Sequence, residues 1–185
     1  MPSSPYPLVL LVGTLLLAFF SRGSLNRPGS HGFPRFFAFE AMLLLGVVNH
    51  PYWHEDPLAL HQNLSWGLFV LSLAVVLQAL ALLVLVGRHD KQRRDPALLV
   101  FEKTARLVTG GIFRWIRHPM YTALILFAWG MFFKHASWPA AALAATATLC
   151  LVLTARREEV ECMAYFGDEY AAYMARSRRF IPGIY

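Results

Sequence analysis

The apolar positions of the chain fall into five long runs separated by short polar segments. A helix that crosses a membrane needs about 20 residues, so the first, second and fourth runs must include flanking aromatic and small polar residues. The pattern predicts an all-α polytopic membrane protein with about five transmembrane helices in a single domain, residues 1–185. The five runs are residues 7–20, 36–49, 64–86, 121–133 and 138–154.

The segment after the fifth run, residues 156–185, has helical periodicity with a broad apolar stripe. Gly167 and Asp168 interrupt this periodicity. We therefore predict a C-terminal helical segment that lies along the cytoplasmic membrane surface or folds back on the bundle. The stripe consists of Val160, Met163, Phe166, Tyr170 and Tyr173.

The composition supports a membrane location. The 185 residues are 57% hydrophobic and only 15% charged, with a mean hydropathy of +0.45, whereas soluble domains have about 25% charged residues. The net charge of +6 does not indicate nucleic acid, because the basic residues punctuate apolar runs instead of forming a polar domain. Anionic lipid headgroups are the expected partner.

The basic residues also predict an orientation. With five spans, 16 of the 17 lysines and arginines fall on one side, and Lys134 is the exception. The positive-inside rule makes that side cytoplasmic, so the N-terminus is predicted outside and the C-terminus inside. We expect an integral protein of a prokaryotic inner membrane. Arg88, Lys91, Arg93 and Arg94 are expected to set this orientation and to meet lipid headgroups.

The two cysteines are predicted to remain unbridged. Cys150 and Cys162 are twelve residues apart in one predicted helical stretch, which separates them by about 18 Å. A disulfide requires Cα atoms within about 7 Å. Both are expected to be small buried apolar residues.

Two polar features interrupt the second span and the loop after it. Glu40 lies inside an apolar run, where an acid is costly, and it is expected either to pair near the interface or to line a site. His50 and His54 have i,i+4 spacing, but Pro51 and Pro57 make a regular helix face unlikely. We therefore expect a polar outer loop and no metal site there.

A third group of polar residues lies at the cytoplasmic ends of the fourth and fifth spans, before the fourth and after the fifth. His118 and Tyr121 are three residues apart and should project in similar directions, while Glu158 and Glu159 follow the fifth span. A basic cap at a membrane surface would explain Arg117 and His118 alone. The cationic, aromatic and acidic groups together would suit a zwitterionic ligand with an aromatic base.

These residues belong to two motifs that cover residues 109–182. The sequence here resembles the isoprenylcysteine carboxyl methyltransferase family and its prokaryotic membrane relatives, which also resemble phospholipid N-methyltransferases. Cys162 and Ser177 depart from the family pattern, which usually has leucine and valine there. The first motif comprises Thr109, Gly111, Phe113, Arg114, Arg117, His118, Pro119 and Tyr121, and the second comprises Glu158, Glu159, Phe166, Gly167, Tyr170, Tyr173, Arg176, Arg179, Phe180 and Pro182.

The resemblance implies a methyltransferase that uses S-adenosylmethionine. Glu158 and Glu159 would hold the ammonium or the ribose hydroxyls, and Arg176 would orient an anionic substrate group. The resemblance thus implies Arg176 and Glu159 as catalytic residues. The implied cofactor-binding residues are Gly111, Phe113, Arg117, His118, Pro119, Tyr121, Glu158 and Glu159.

Several functions remain open at this point. Methyl transfer is a direct displacement, so positioning and exclusion of water should dominate catalysis, and no nucleophile of the protein is required. The acceptor is expected to be lipophilic: a prenylated, isoprenylcysteine-like carboxylate, a phospholipid or a small thiol. An NADPH-dependent membrane reductase and a non-enzymatic transporter or sensor subunit are the alternatives. No obligate protein partner is evident.

Overall fold

The computed structural model describes residues 5–87 and 106–184. Within them the chain forms six α-helices and two short 3-10 turns, His50–Tyr52 and Gly111–Arg114. The residues expected to set the orientation, Arg88 to Arg94, lie outside the described part. The helices are α1 (Tyr6–Leu25), α2 (Gly32–Asn49), α3 (Leu60–Leu85), α4 (Pro119–Phe132), α5 (Trp138–Phe166) and α6 (Asp168–Arg176).

The helix lengths confirm a polytopic all-α membrane protein and refine its spans. Four helices (α1, α2, α3 and α5) are long and apolar enough to cross a membrane. The fourth predicted span corresponds to α4, which has only 14 residues. At 1.5 Å per residue α4 is about 21 Å long, shorter than a hydrocarbon core of about 30 Å. The structure therefore combines four full-length helices with one short apolar helix.

The end of α5 differs from the predicted boundary at residue 154. The helix continues without interruption to Phe166, so the first part of the predicted surface segment is an extension of the fifth span. The break occurs at Gly167, as predicted, where φ is +57°. Glycine adopts such a conformation without the steric cost that a Cβ imposes. A separate helix, α6, begins only after this break.

Small residues allow α2 and α5 to pack closely. Ala144, Ala147 and Leu151 on α5 are fully buried and recur at helical spacing. They share apolar clusters with Ala41 and other buried residues of α2. Small side chains let membrane helices approach closely, and this close packing stabilises helix pairs in lipid.

Polar side chains join α3 to α4. Ser65 donates to the carbonyl oxygen of Gly130 and Ser72 donates to that of Ala123, both at 2.7 Å. The transporter hypothesis required polar residues that line a path through the spans. Ser72 instead contacts a neighbouring backbone, which is an ordinary packing role in membrane helices.

Both ends of the bundle are held by hydrogen bonds. At the end where α1 begins, Lys134 is buried, donates to Gln62 at 2.9 Å and lies 3.9 Å from the ring centroid of Trp66. Burial lowers the pKa of Lys134. At the opposite end, which we call the site end, the α1–α2 turn, the start of α4 and the end of α5 come together.

The structure also shows the surroundings of Glu40, of His50 and of the two cysteines. Glu40 pairs within the bundle, because Thr14 on α1 donates to it at 2.9 Å. His50 lies 3.3 Å from the hydroxyl of Tyr6. Cys150 and Cys162 both lie on α5 and are unbridged, as predicted, but the expectation that both are buried was wrong, because both are only half-buried.

Candidate active site

A short backbone ladder joins the two motifs at the site end. Arg117 donates its backbone N–H to the carbonyl oxygen of Arg178 at 2.7 Å, and Arg178 donates to Trp115 at 2.9 Å. His118 continues the ladder with a bond of 3.2 Å to Arg179. These segments are about 60 residues apart in the sequence, so the ladder makes one structural unit of the two motifs.

Gly111 fits the first motif against α3. Its φ is +57°, and a Cβ at this position would lie 2.6 Å from a terminal carbon of Leu82. The turn that follows places Phe113 in the interior. Tyr173 of α6 secures this turn, because its buried hydroxyl donates to the carbonyl oxygen of Phe113 at 2.7 Å. Burial raises the pKa of Tyr173, so the hydroxyl stays protonated and able to donate.

Glu159 is the centre of a buried ion-pair cluster. Its carboxylate accepts from Nε of Arg117 at 3.0 Å and from Nη2 of Arg179 at 2.6 Å. Only 7% of its side chain is exposed. Buried charges persist when they are paired and hydrogen-bonded in this way. Glu159 therefore joins α5 to the segments that flank α4 and α6.

His118 lies between two carboxylates. Its Nδ1 is 3.4 Å from Glu158 and its Nε2 is 3.3 Å from Glu159. Burial alone would lower the pKa of His118, but hydrogen bonds and charges from both glutamates outweigh it and raise the pKa above 6.5. Only the imidazolium donates from both nitrogens, so the geometry favours the protonated form.

Tyr121 stacks on the ring of His118. The ring centroids are 5.5 Å apart and the planes differ by 16°, which confirms that the two side chains project together from the start of α4. Tyr121 is almost completely buried. A flat cationic and aromatic surface thus forms where α4 begins.

These residues enclose a cavity of about 90 Å³. It lies where the ends of α3 and α5, the start of α4 and the helix α6 meet. Its wall combines charged groups with apolar and aromatic side chains. The lining residues are Leu83, Leu107, Val108, Phe113, Arg117, His118, Pro119, Met120, Tyr121, Glu158, Cys162, Phe166, Tyr170 and Tyr173.

The structure separates the residues implied by the resemblance into two groups. Six of them line the cavity: Phe113, Arg117, His118, Pro119, Tyr121 and Glu158. Gly111, Glu159 and Arg176 are not among the lining residues, and Arg176 is exposed at the end of α6. Cys162, expected to be a small packing residue, is part of the wall. The catalytic and binding roles themselves remain predictions.

Several residues that shape the site carry no sequence-derived role. Arg179 donates to Glu159, although the sequence analysis named it only as a member of the second motif. Ser177 is buried and accepts from Nη1 of Arg117 through its carbonyl oxygen at 2.6 Å. His31, near the start of α2, contacts α5 beside Glu158. Its only sequence signal is its position in a turn, so sequence patterns alone do not find it.

The donor set of the cavity fits the chemistry of S-adenosylmethionine. Glu158 offers a carboxylate, Arg117 and His118 offer cations, and Tyr121 and Phe113 offer aromatic surfaces. Pockets for ligands of this size have volumes of about 300–1,000 Å³. The lining side chains must therefore move apart for such a ligand to enter.

The fold and site define a polytopic membrane protein with a charged, aromatic cavity at one end of its bundle. Residues 70–169, more than half of the chain, match the family model for phospholipid methyltransferases. The chain belongs to the phospholipid methyltransferase family, which is part of the isoprenylcysteine carboxyl methyltransferase-like membrane methyltransferases. The resemblance of its motifs is thereby confirmed.

The family match indicates the general activity, and it covers only part of the chain. The protein is a membrane methyltransferase, so the family assignment supports neither the reductase nor the transporter hypothesis. The match includes Glu158 and Glu159 but ends at residue 169, before Arg176 and Arg179. Comparison with curated proteins and with solved structures gave no match.

Proposed function

We propose that the protein transfers a methyl group from S-adenosylmethionine, bound in the cavity at the site end, to a lipophilic acceptor. The observation that carries this proposal is the placement of His118 between Glu158 and Glu159, with Tyr121 stacked beside it at the cavity wall. S-adenosylmethionine supplies an electrophilic methyl group on a sulfonium.

The lining residues divide the work of binding. Glu158 accepts hydrogen bonds from the ammonium or from the ribose hydroxyls, and among the described residues it is the carboxylate that lines the cavity. Arg117 and His118 contact the carboxylate or the adenine edge. Tyr121 and Phe113 provide aromatic surfaces for the adenine or for the cationic sulfonium.

Glu159 acts as a positioning residue in this proposal. Its carboxylate is engaged by Arg117, Arg179 and His118, and these contacts use its strongest acceptor positions. It therefore orients the cations that contact the ligand. The resemblance implies a catalytic role for Glu159. We propose instead that Glu159 keeps the side chains of Arg117 and His118 in position to contact the ligand.

An apolar groove supports a lipophilic acceptor. It has a volume of about 970 Å³, lies between α1, α2 and α4, and includes Gly46, Leu43 and Phe127. Leu124 also lines it and packs against the cluster that contains Tyr121. One helical turn thus separates the groove from the cavity wall. We propose that a hydrocarbon chain of the acceptor occupies this groove.

The shortness of α4 supports access from the bilayer. Because α4 is about 21 Å long, its first residues lie deeper than the ends of the longer helices when its other end is at the interface. His118 and Tyr121, which are buried within the bundle, therefore lie closer to the depth of the lipid chains than the ends of the longer helices do. A lipophilic acceptor can reach them with little of its chain exposed to water.

The protonation of the site favours an acceptor that is already ionised. His118 is held as an imidazolium by its two carboxylate neighbours, so it does not serve as a base. A carboxylate acceptor needs no base at neutral pH. We therefore favour carboxyl O-methylation of an isoprenylcysteine-like compound, and a small thiolate fits the same argument.

A phospholipid amine is the second candidate acceptor. The family match favours it. Incubation with labelled methyl donor and separate prenylcysteine, phosphatidylethanolamine and small-thiol acceptors discriminates these possibilities. The first should become labelled, and labelling of phosphatidylethanolamine alone would replace the favoured acceptor with the second.

Cofactor binding is tested by calorimetry of the full-length protein in detergent with S-adenosylhomocysteine. We expect binding by the wild type and affinity at least about tenfold weaker for Glu158→Gln, the loss of one charge-assisted contact. Glu169→Gln is the matched control, because Glu169 is exposed on α6. No binding by the intact wild-type protein would refute the proposal.

The groove is tested with a filling substitution. Gly46→Leu places a side chain in the groove and should raise KM for long-chain acceptors while short-chain analogues retain theirs. Gly67→Leu is the control, because nothing lies within 4 Å of a Cβ at Gly67. Equal effects on long and short acceptors would exclude the groove as the chain site.

We further propose the predicted orientation, with the N-terminus outside and the site end in the cytoplasm of a prokaryotic cell. The basic residues at the site end support it. Single cysteines introduced at His54 and Arg176 of a Cys150→Ser, Cys162→Ser protein test it. An impermeant thiol reagent added to intact spheroplasts should label the former, and labelling of the latter alone would reverse the orientation.

A further inference from the structure

The turn between α1 and α2 is held against the extension of α5. His31 is fully buried, and its Nδ1 lies 2.5 Å from Glu161 while its backbone N–H donates to the other carboxylate oxygen at 2.9 Å. Arg157 donates to the carbonyl oxygens of Pro28 and Ser30, at 2.5 and 3.2 Å. Two side chains of α5, those of Arg157 and Glu161, thus form hydrogen bonds with the same turn.

This contact is made by the same part of α5 that carries the cavity carboxylate. Glu158 lies between Arg157 and Glu161, and Glu161 is three residues after it, on a neighbouring position of the helix surface. The α1–α2 turn therefore contacts α5 next to the proposed cofactor site.

Cys162 and Phe166 of this helical extension pack against the buried cluster that contains Tyr170, and other positions of the extension face outward. Arg156, Val160 and Met163 are exposed beyond the buried end of the bundle. On one side Arg117 and Arg179 hold Glu159. The contact of His31 with Glu161 holds the helix from another side, with Glu158 between these two fixed glutamates.

We propose that His31 is a positioning residue for the cofactor site, which through Glu161 fixes the rotation of α5 that turns Glu158 toward the cavity. This inference rests on the proposed binding of S-adenosylmethionine. His31 lies outside the matched residues 70–169 and outside both motifs. The N-terminal part of the chain thus contributes to a site whose ligand contacts lie in the C-terminal part.

The test measures S-adenosylhomocysteine affinity of the full-length protein by calorimetry for His31→Gln, Glu161→Gln and the double variant. Each single substitution should raise Kd about fivefold, and the double should be no weaker than the weaker single, because the two residues form one contact. Glu161→Asp keeps the charge and should recover part of the affinity. His54→Gln, in an exposed loop at the other end, should match the wild type.

A second readout separates positioning from a general loss of folding. Cys162 lines the cavity one turn after Glu158, so in a Cys150→Ser background its protection from alkylation by bound S-adenosylhomocysteine reports the rotation of α5. The substitutions at His31 and Glu161 should reduce that protection while the calorimetric stoichiometry stays near that of the wild type.

Three results would overturn the inference. The first is an unchanged Kd and unchanged protection of Cys162 in both single variants. The second is a loss of affinity in the double variant that equals the sum of the single losses. The third is a lower binding stoichiometry at unchanged Kd. If the wild type itself binds no S-adenosylhomocysteine, the proposed function fails and this inference fails with it. Wild-type binding with unaffected variants refutes the role of His31 alone.

Discussion

The backbone N–H of Arg117 lies 2.7 Å from the carbonyl oxygen of Arg178 and donates to it. This bond fixes the segment before α4 against the segment after α6, and the side chain of Arg117 then reaches Glu159 on α5. Three parts of the chain therefore meet at one residue. The proposed cofactor site depends on this junction, because the side chains of Arg117 and His118 project from it.

The ion-pair cluster predicts that Glu159 is needed for stability. Glu159→Gln leaves the partly buried cations Arg117 and Arg179 without their carboxylate, so the free energy of unfolding should fall by about 2–3 kcal/mol. Thermal and denaturant unfolding in detergent measure this loss. Glu169→Gln, at an exposed position of α6, should change stability by less than about 0.5 kcal/mol, and an equal effect of the two would contradict the cluster.

The raised pKa of His118 predicts a pH-dependent stability. Because the folded state binds the proton more tightly than the unfolded state, its contribution is complete below the unfolded pKa of 6.5 and is lost as pH rises through the folded pKa. The unfolding temperature should therefore decrease above about pH 6.5. His118→Gln should flatten that part of the profile, and parallel profiles would show that another group is responsible.

The contact of α3 with α4 predicts an intolerant glycine. A Cβ at Gly130 would lie 2.6 Å from the ring of Phe69, so Gly130→Ala should destabilise the protein by about 1–3 kcal/mol through overpacking. Unfolding in detergent measures the effect. Gly67→Ala, where no atom lies within 4 Å, should be neutral or slightly stabilising because alanine favours a helix. A neutral Gly130→Ala would show that the interface can relax.

Because Arg176 is exposed, its substitution is predicted to change the KM for the acceptor without changing the Kd for the cofactor product. Arg176→Ala should leave the Kd for S-adenosylhomocysteine unchanged, because Arg176 is not among the cavity-lining residues. If it orients an anionic acceptor, as the resemblance implies, KM for an acidic acceptor should rise about fivefold. Arg178→Ala removes the same charge two residues away and serves as the control. Weaker cofactor binding in Arg176→Ala would place this residue at the cofactor instead.

Much of the fold could be predicted from local patterns. Apolar runs predicted the helices α1 to α5 because a backbone in lipid must satisfy its own hydrogen bonds, and Gly167 predicted the break before α6 because few other residues adopt its conformation. The motifs also predicted that His118, Tyr121 and Glu158 belong to one site. The fourth predicted span, residues 121–133, ends within one residue of α4, but the flanking residues did not lengthen this helix to the 20 residues of a full crossing.

The sequence by itself determined the membrane location, the order of the helices and the chemistry gathered at one end of the bundle. Only the tertiary structure decided which of two adjacent acids faces the cavity. Neighbouring residues of a helix point about 100° apart, so Glu158 and Glu159 are equivalent in the sequence until α5 has a fixed rotation. The distant residues Arg117, Arg179 and His31 fix that rotation, and a local pattern carries no information about contacts between residues so far apart.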